Sequence, residues 1–189
     1  SLVFSEVSTI TANTIKFETE AGALSYINKD GTATLNLFNE LFIKSNKQTG
    51  LGPQIRVNNL LGNLKVETFN GSYNINKIGS SGNNKMVAIT TLNSRIKLNE
   101  VYGQVSILSD GDNVSNNIDI NNLSGGTSVN NLDAGSGNIY INTLSGDTAL
   151  NTSSGQIKVD NANPNSNIWA HSTSGNIIIR YSESDTSFN

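Results

Sequence analysis

The chain contains no cysteine, only two prolines and a single histidine among its 189 residues. Without cysteine it can form neither a disulfide nor a thiolate metal site, and it has no cysteine nucleophile. A metal site based on histidine would have one imidazole at most. We therefore predict no metal ion and no cofactor.

Charged and apolar residues are both scarce. Charged residues make up 14% of the chain and apolar residues 35%, and the net charge is −3. The absence of a basic excess argues against nucleic acid as a partner. No stretch approaches the ~18 consecutive apolar residues of a membrane span, so we expect no direct membrane insertion. Because disordered chains are usually rich in proline and charge, the composition favours a folded domain.

The sequence does contain a repeat of nine residues. The stretch SGNIYINTLSGDTALNTSSGQIKV, at 136–159, places Gly137, Gly146 and Gly155 nine residues apart. Counted from Gly137 or Gly155, the second, fourth and seventh following residues are apolar, whereas Gly146 has Thr148 and Ser153 at two of these positions. Thirteen such units fit between residues 53 and 182, and 33 of their 39 predicted inward positions are apolar. Within a unit the alternation has period two, which predicts strands with one buried face.

A second period predicts how the strands stack. Every third unit begins at a nearly even interval along the chain, at Pro53, Lys85, Asn116, Gly146 and Gly175. Three strands per coil indicate a three-faced β-solenoid of about 30 residues per coil, with parallel pairing between coils. Because parallel crossovers are nearly always right-handed, the predicted fold class is all-β, a right-handed parallel β-helix.

Residues 1–52 do not keep this register, and we predict an N-terminal β cap or irregular first coils, with a hairpin turn at Asp30-Gly31. Residues 53–189 are predicted to form the solenoid with a C-terminal tail, the whole chain being a single structural domain. A solenoid end exposes core and strand edges, so the tail Ser182–Asn189 is expected to cover the last coil.

Asparagine recurs five residues after the start of the unit. The amide of asparagine can bond backbone groups or a stacked asparagine in the next coil, so these residues are predicted to be structural. They are Asn58, Asn76, Asn99, Asn121, Asn130, Asn142 and Asn151.

Two aromatic residues depart from the polar outward pattern. On the three-faced arrangement, Tyr140 and Trp169 lie one coil apart on the same face, with Asn142 and His171 beside them. Exposed rings flanked by amides suit stacking on sugar rings or docking of a protein. These four residues are our candidate ligand-binding site. The alternatives are that the tail, through Phe188, covers this patch, and that His171 is an ordinary surface residue.

A second candidate is a basic stripe. The same arrangement places Lys65, Lys97 and Lys158 in one outward column, next to a thin acidic column. Such a stripe could bind an anionic ligand such as a charged glycan. The alternative is a solvated face whose mixed charges limit aggregation.

The sequence shows no clear cluster of the residues that catalysis on this fold requires. Enzymes on β-helices, such as polysaccharide lyases and hydrolases, need clustered carboxylates. Asp119 and Asp147 come close on one predicted face, but no third acid joins them. The run Asp110–Asn113 has alternating oxygen ligands, as calcium loops do, but it lacks the downstream glutamate, and an inserted turn explains it equally. We therefore predict no catalytic residues.

The recurring Ser-Gly-x-Ile, as at 136–139, 154–157 and 174–177, resembles the bacterial domains of unknown function that are labelled as adhesins, also known as toast-rack β-solenoids. The resemblance covers roughly 53–181. It implies a location outside the cytoplasmic membrane, often with a tether, roles in envelope sensing or adhesion, and no catalytic residues. The chain begins SLVFSEVS without methionine, as a trimmed chain or a mature chain without its leader does, so we expect the tether to lie in a segment outside this chain.

The predicted function is a non-enzymatic, extracytoplasmic binding or scaffold module of the cell surface. The predicted partners are a protein, a surface glycan or further copies of the chain. The alternative function is a carbohydrate-active enzyme, a lyase or hydrolase, on the same β-helix fold.

Overall fold

The computed structural model describes residues 3–4, 9–19, 26–27, 34–46, 52–111, 116–125 and 129–183. These residues form β-strands and no helix. The strands are β1 Val3–Phe4, β2 Thr9–Thr19, β3 Tyr26–Ile27, β4 Thr34–Ser45, β5 Gln54–Leu60, β6 Asn63–Thr68, β7 Asn70–Ile78, β8 Lys85–Thr91, β9 Asn93–Ser109, β10 Ile118–Ser124, β11 Asn130–Asp133, β12 Ile139–Ser145, β13 Thr148–Thr152, β14 Ile157–Ala162, β15 Ile168–Ser172 and β16 Ile177–Tyr181.

The strands stack in parallel into two walls that share one core. The first wall contains, in stacking order, β1, β3, β5, β7, the first half of β9, β10, β12, β14 and β16. The second wall contains the second halves of β2 and β4, then β6, β8, the second half of β9, β11, β13 and β15. The first halves of β2 and β4 stack on the end of β5 in the first wall. The predicted all-β solenoid is confirmed, with about seven coils. Its right-handed sense stays a prediction.

The coil is shorter than predicted. On the first wall the inward residues pair from coil to coil in the order Ile55, Tyr73, Ile96, Ile118, Ile139, Ile157 and Ile177. Each step between these paired residues spans two repeat units, with a short insertion in some coils. The predicted three-faced coil, with three units per turn, is therefore wrong. Short insertions of uneven length between units happened to make the spacing between every third unit nearly constant, which suggested three units per coil.

The two kinds of unit differ at their seventh position. In first-wall units before the last coil this residue is buried and apolar, because it forms a third inward column where the strand bends. In second-wall units the corresponding residue lies outside the core. The first-wall residues are Leu60, Ile78, Val101, Leu123, Leu144 and Ala162, and the second-wall residues are Phe69, Leu92, Asp110, Ser153 and Thr173.

In most second-wall units, the residue just before the seventh position carries a hydroxyl that closes the corner of the coil. Thr152 is fully buried, and its Oγ1 lies 2.8 Å from the carbonyl oxygens of Gly135 and Gly137 and accepts the Gly155 N–H at 3.1 Å. These contacts satisfy backbone groups that the tight turn would otherwise leave unpaired. Equivalent hydroxyls stand at Ser45, Thr68, Thr91, Ser109 and Ser172.

One large core residue is polar. Tyr73 is fully buried and occupies the place of an isoleucine between Ile55 and Ile96. Its hydroxyl lies 2.7 Å from Thr68 Oγ1, which places it at the corner where the buried hydroxyls meet. Burial raises the pKa of Tyr73 to about 12, with hydrogen bonds to Thr68 and Ser94 acting in the opposite direction.

The two ends of the solenoid differ. In the described part of 1–52, the second halves of β2 and β4 stack on β6 and continue the second wall, with Ile15 paired to Leu41 and Leu41 to Leu64. At the other end the inward residues of β15 and β16 are only partly buried, and Ile177 is 42% exposed. The predicted turn at Asp30-Gly31 and the covering tail from 184 to 189 lie outside the described residues.

Candidate binding surface

The outward side chains of the first wall form straight columns, because each strand pairs in register with the next. A central column contains Arg56, Asn74, Lys97, Asp119, Tyr140, Lys158 and Ile178. An asparagine column beside it contains Asn58, Asn76, Asn99, Asn121 and Asn142. Neighbours within a column are separated by the strand spacing of about 4.8 Å.

The asparagine column is one continuous hydrogen-bonded ladder. Each Nδ2 donates to the Oδ1 of the asparagine in the preceding coil, at 2.9 Å in all four steps. The predicted stacking is confirmed for these five residues. Asn130 instead points into the core, where its Oδ1 accepts the Val105 N–H at 2.9 Å, and Asn151 donates to Asp133 Oδ2 at 2.7 Å.

Part of each ladder amide stays available to a ligand. An asparagine side chain has two N–H donors and an oxygen with two lone pairs. Within the ladder, Asn99 and Asn121 each use one donor and one acceptor site on their asparagine neighbours. The outer edge of the column therefore presents further donors and acceptors at the spacing of the coils.

A shallow groove of about 330 Å³ lies along this wall. Its lining residues come from the last three coils of the ladder and the coil beyond, and they combine one aromatic ring with amides and charged groups. They include Lys97, Asn121, Asp119, Tyr140, Asn142 and Lys158. Tyr140 is half-buried and is paired in register with Asp119 on one side and Lys158 on the other.

Ion pairs hold the C-terminal end of the groove. Asp160 Oδ2 accepts a hydrogen bond from Lys158 Nζ at 2.6 Å, and its Oδ1 accepts one from Arg180 Nη1 at 2.6 Å. The hydrogen bond from Lys158, followed by the contribution of Arg180, lowers the pKa of the Asp160 carboxyl despite some desolvation. Asp160 therefore stays ionised and bound between two cations.

Asp119, toward the other end, has a different environment. Burial raises the pKa of its carboxyl, and the opposing charges of Lys97 and Arg95 compensate only in part. Arg95 and Lys97 belong to the same strand, one coil before Asp119. The groove therefore has a carboxylate with two nearby cations on each side of Tyr140.

The predicted aromatic patch is wrong. With two units per coil, Tyr140 faces out from the first wall, whereas Trp169 faces out from the second, paired in register with Ala149. Asn142 lies with Tyr140 and His171 with Trp169, so the four predicted residues divide into two separate pairs. Trp169 is 56% exposed in the last coil. Whether the tail reaches it stays a prediction, because Phe188 lies outside the described residues.

The predicted lysine stripe is also divided between the walls. Lys97 and Lys158 line the first-wall groove, but Lys65 lies on the second wall. There its Nζ is 5.0 Å from the centre of the Phe42 ring and 2.9 Å from Glu67, while Lys16 approaches the same ring at 5.6 Å. The hydrogen bond that Lys65 donates to Glu67 raises the pKa of Lys65. This cation–aromatic stack already uses Lys65 within the fold.

The two carboxylates of the groove lie on opposite sides of Tyr140. Asp119 and Asp160 are two coils and two residues apart, so their Cα atoms are separated by about 12 Å. The predicted closeness of Asp119 and Asp147 is wrong, because Asp147 lies at the second wall, where it accepts the Asn167 N–H at 2.8 Å.

The described residues contain neither a cluster of metal ligands nor a membrane-spanning helix. No group of three or more histidine, aspartate or glutamate side chains is placed to hold a metal ion. No helix in this part of the chain has the length and apolarity needed to cross a bilayer.

Sequence reasoning missed Arg95 and Arg180 as residues of this surface. Arg95 lies two residues from Lys97 on the same strand, whereas the position of Arg180 beside Lys158 depends on the coil length. The signal that could have corrected the coil length is the seventh position of the unit, which is apolar in first-wall units and polar in most second-wall units after residue 100.

The comparison with known families agrees with the architecture. The family model described as Toastrack DUF4097 matches residues 5–189. The chain matches no curated protein and no solved structure. A match over nearly the whole length, together with a parallel β-solenoid, identifies the chain as a member of the Toastrack DUF4097 family of domains of unknown function.

Proposed function

We propose that this chain is a non-enzymatic binding module of the bacterial cell surface, an adhesin-type domain that recognises a surface glycan through its first wall. In this proposal the domain lies outside the cytoplasm and is tethered by a segment outside this chain. The observation that carries the proposal is the position of Tyr140 in a groove beside a continuous asparagine ladder.

The groove has the two kinds of group that sugars need. The face of an aromatic ring packs against the C–H face of a sugar ring, and amides exchange hydrogen bonds with hydroxyls. The spacing of about 4.8 Å between coils is close to the length of one sugar residue in an extended chain. A linear glycan lying along the solenoid axis would therefore meet equivalent amides at each residue.

The enzymatic alternative has less support. Ion pairs with Lys158 and Arg180 hold Asp160 as an ionised carboxylate, which leaves it without the proton that a general acid donates. A protein partner and association with further copies stay predictions, since no contact among the described residues favours either.

The proposal is tested by measuring the binding of a panel of bacterial polysaccharides with two matched aromatic variants. Tyr140→Ala should weaken binding about tenfold, because a stacked ring contributes on the order of 1 kcal/mol or more. Trp169→Ala, which removes an exposed ring from the second wall, should leave binding unchanged. Thermal unfolding of both variants controls for the fold.

Two results would contradict the proposal. Loss of binding in Trp169→Ala but not in Tyr140→Ala would move the site to the second wall. Release of shorter sugar products during incubation with the wild-type chain would favour the enzyme.

A further inference from the structure

We propose that the glycan bound by the first wall is an acidic polysaccharide, whose carboxylate or sulfate groups contact the cations on both sides of Tyr140. This inference rests on the function proposed above, since it specifies the chemical class of the same ligand. It is carried by the distribution of charge over the solenoid.

Positive charge is concentrated on the first wall. Apart from the ion pair of Lys77 with Glu100, which cancels, the outward side chains described there carry five cations and two carboxylates, a net charge of +3. The other described residues carry four lysines and seven carboxylates, a net charge of −3. Such segregation would attract an anion to this wall and repel it from the rest of the molecule. The cations are Arg56, Arg95, Lys97, Lys158 and Arg180, and the carboxylates are Asp119 and Asp160.

The arginines strengthen the argument. All three arginines of the chain, Arg56, Arg95 and Arg180, belong to the first wall, while four of the seven described lysines lie elsewhere. The planar guanidinium group matches the two oxygens of a carboxylate, which a lysine ammonium cannot do. If the cations served only solubility, lysine would be equally suitable.

Each carboxylate of the groove faces two cations, so it neutralises only half of the positive charge around it. Asp160 pairs with both Lys158 and Arg180, and Asp119 is opposed by both Arg95 and Lys97. Each end of the groove therefore keeps a net charge of about +1. Lys97 and Lys158 are three coils apart, about 14 Å, so a ligand stacked on Tyr140 would meet one positive cluster on each side.

The charge density favours a polysaccharide over a nucleic acid. Three net charges are distributed over seven coils, or about 30 Å of the solenoid axis. Duplex DNA presents one negative charge per ~1.7 Å. An acidic polysaccharide with one charge for every one or two sugar residues has a spacing much nearer to that of the wall.

The test uses two pairs of polymers that differ in charge and share a backbone: polygalacturonate with its methyl ester, and dextran sulfate with dextran. Binding is measured with the full chain by biolayer interferometry at low and at physiological salt. In at least one pair we expect the charged polymer to bind at least tenfold more tightly than the neutral one. That binding should weaken as salt rises.

Matched variants place the effect on one wall. Lys97→Gln combined with Lys158→Gln should weaken binding of the charged polymer about tenfold or more. Lys16→Gln combined with Lys65→Gln removes the same charge from the second wall and should not weaken it. Equal binding of charged and neutral polymers in both pairs, or equal losses in the two double variants, would overturn the inference.

Other results separate this inference from the proposed function. If Tyr140→Ala weakens binding of a neutral glycan while both charge variants bind as the wild type does, the glycan module stands and the acidic ligand does not. If the charge variants lose binding but Tyr140→Ala does not, the anionic ligand stands without stacking. Tighter binding of single-stranded DNA or phosphatidylserine vesicles than of either charged polymer would overturn the polysaccharide class.

Discussion

Gly155 lies directly on Gly137 of the preceding coil, and a Cβ on Gly155 would overlap the Gly137 carbonyl oxygen. Gly175 stacks on Gly155 in the same way, whereas Gly146 belongs to the other wall, next to Gly125. Successive glycines of the repeat therefore occupy alternate corners of a two-unit coil. The absence of a side chain at Gly155 allows the backbones of successive coils to approach closely.

The coil length can be tested with engineered disulfides, because the chain has no cysteine of its own. Ala149→Cys with Trp169→Cys should form a disulfide readily under mild oxidation, since these residues are paired in register on adjacent strands. The separation of paired Cα atoms, about 5 Å, lies within the disulfide range. Cross-linking is measured by the shift in electrophoretic mobility without reductant.

A matched pair provides the control. Tyr140→Cys with Trp169→Cys shares one position with the first pair but joins the two walls, so no cross-link should form within a molecule. Efficient cross-linking of this second pair, with none in the first, would restore the three-unit coil.

The asparagine ladder should contribute measurably to stability. Asn99→Ala removes a donor to Asn76 and an acceptor for Asn121, so it should lower the free energy of unfolding by about 1–2 kcal/mol. Asn74→Ala is the control, because this exposed asparagine on the neighbouring strand makes no side-chain hydrogen bond to the described residues. Urea denaturation measures both variants. Equal stability of the two would mean that the ladder bonds merely replace bonds to water.

Much of the fold could be predicted from the sequence because the buried positions of each unit are local. The alternation of Ile139, Ile141 and Leu144 predicts one strand with its inward face, whatever that strand pairs with. The stacking of coils is not local, since insertions such as the one before Asn130 shift the register of the following unit. At that point Val129 is exposed and Asn130 is buried, the reverse of the predicted pattern.

The candidate site was predicted less well for the same reason. Tyr140 was singled out as a departure from the outward polar pattern and Lys158 as part of a basic column, but the neighbours of both residues depend on the coil length. A change from three units to two moves Trp169 to the other wall and brings Asp119 next to Tyr140. The pattern predicts whether a single residue faces inward or outward. The neighbours of that residue on a surface can be predicted only when the register between coils is known.

Binding of an acidic polymer should strengthen as pH falls. Burial raises the pKa of Asp119, so its carboxyl takes up a proton at a higher pH than an exposed aspartate would. Protonation removes one negative charge that faces Lys97 and Arg95, which raises the net charge of the wall. Dextran sulfate is the suitable polymer, because its sulfates stay ionised throughout.

The variant Asp119→Asn separates this effect from other titrations. It should bind dextran sulfate at neutral pH more tightly than the wild type does, and the difference should disappear as the pH falls below the pKa of Asp119. If the two proteins still differ in affinity for dextran sulfate at low pH, the effect of the substitution comes from the shape of the side chain rather than from its charge.

Tyr73 should make the stability of the fold sensitive to alkaline pH. Its pKa is raised from 10.0 to about 12, so the unfolded chain loses this proton first. The stability that the buried phenol contributes is fully present below pH 10 and is lost as the pH rises from about 10 to 12. The expected loss is on the order of 1.4 kcal/mol per pH unit across that window.

Tyr73→Phe isolates this contribution, because the other tyrosines and the lysines titrate alike in both proteins. At neutral pH the variant should be less stable by about 1–2 kcal/mol, since Thr68 loses its 2.7 Å hydrogen bond within the core. As the pH rises toward 12, the difference in the free energy of unfolding should shrink and then reverse, because phenylalanine has no proton to lose. A difference that is constant between pH 7 and pH 12 would show that the Tyr73 hydroxyl ionises in the folded state as easily as in the unfolded chain.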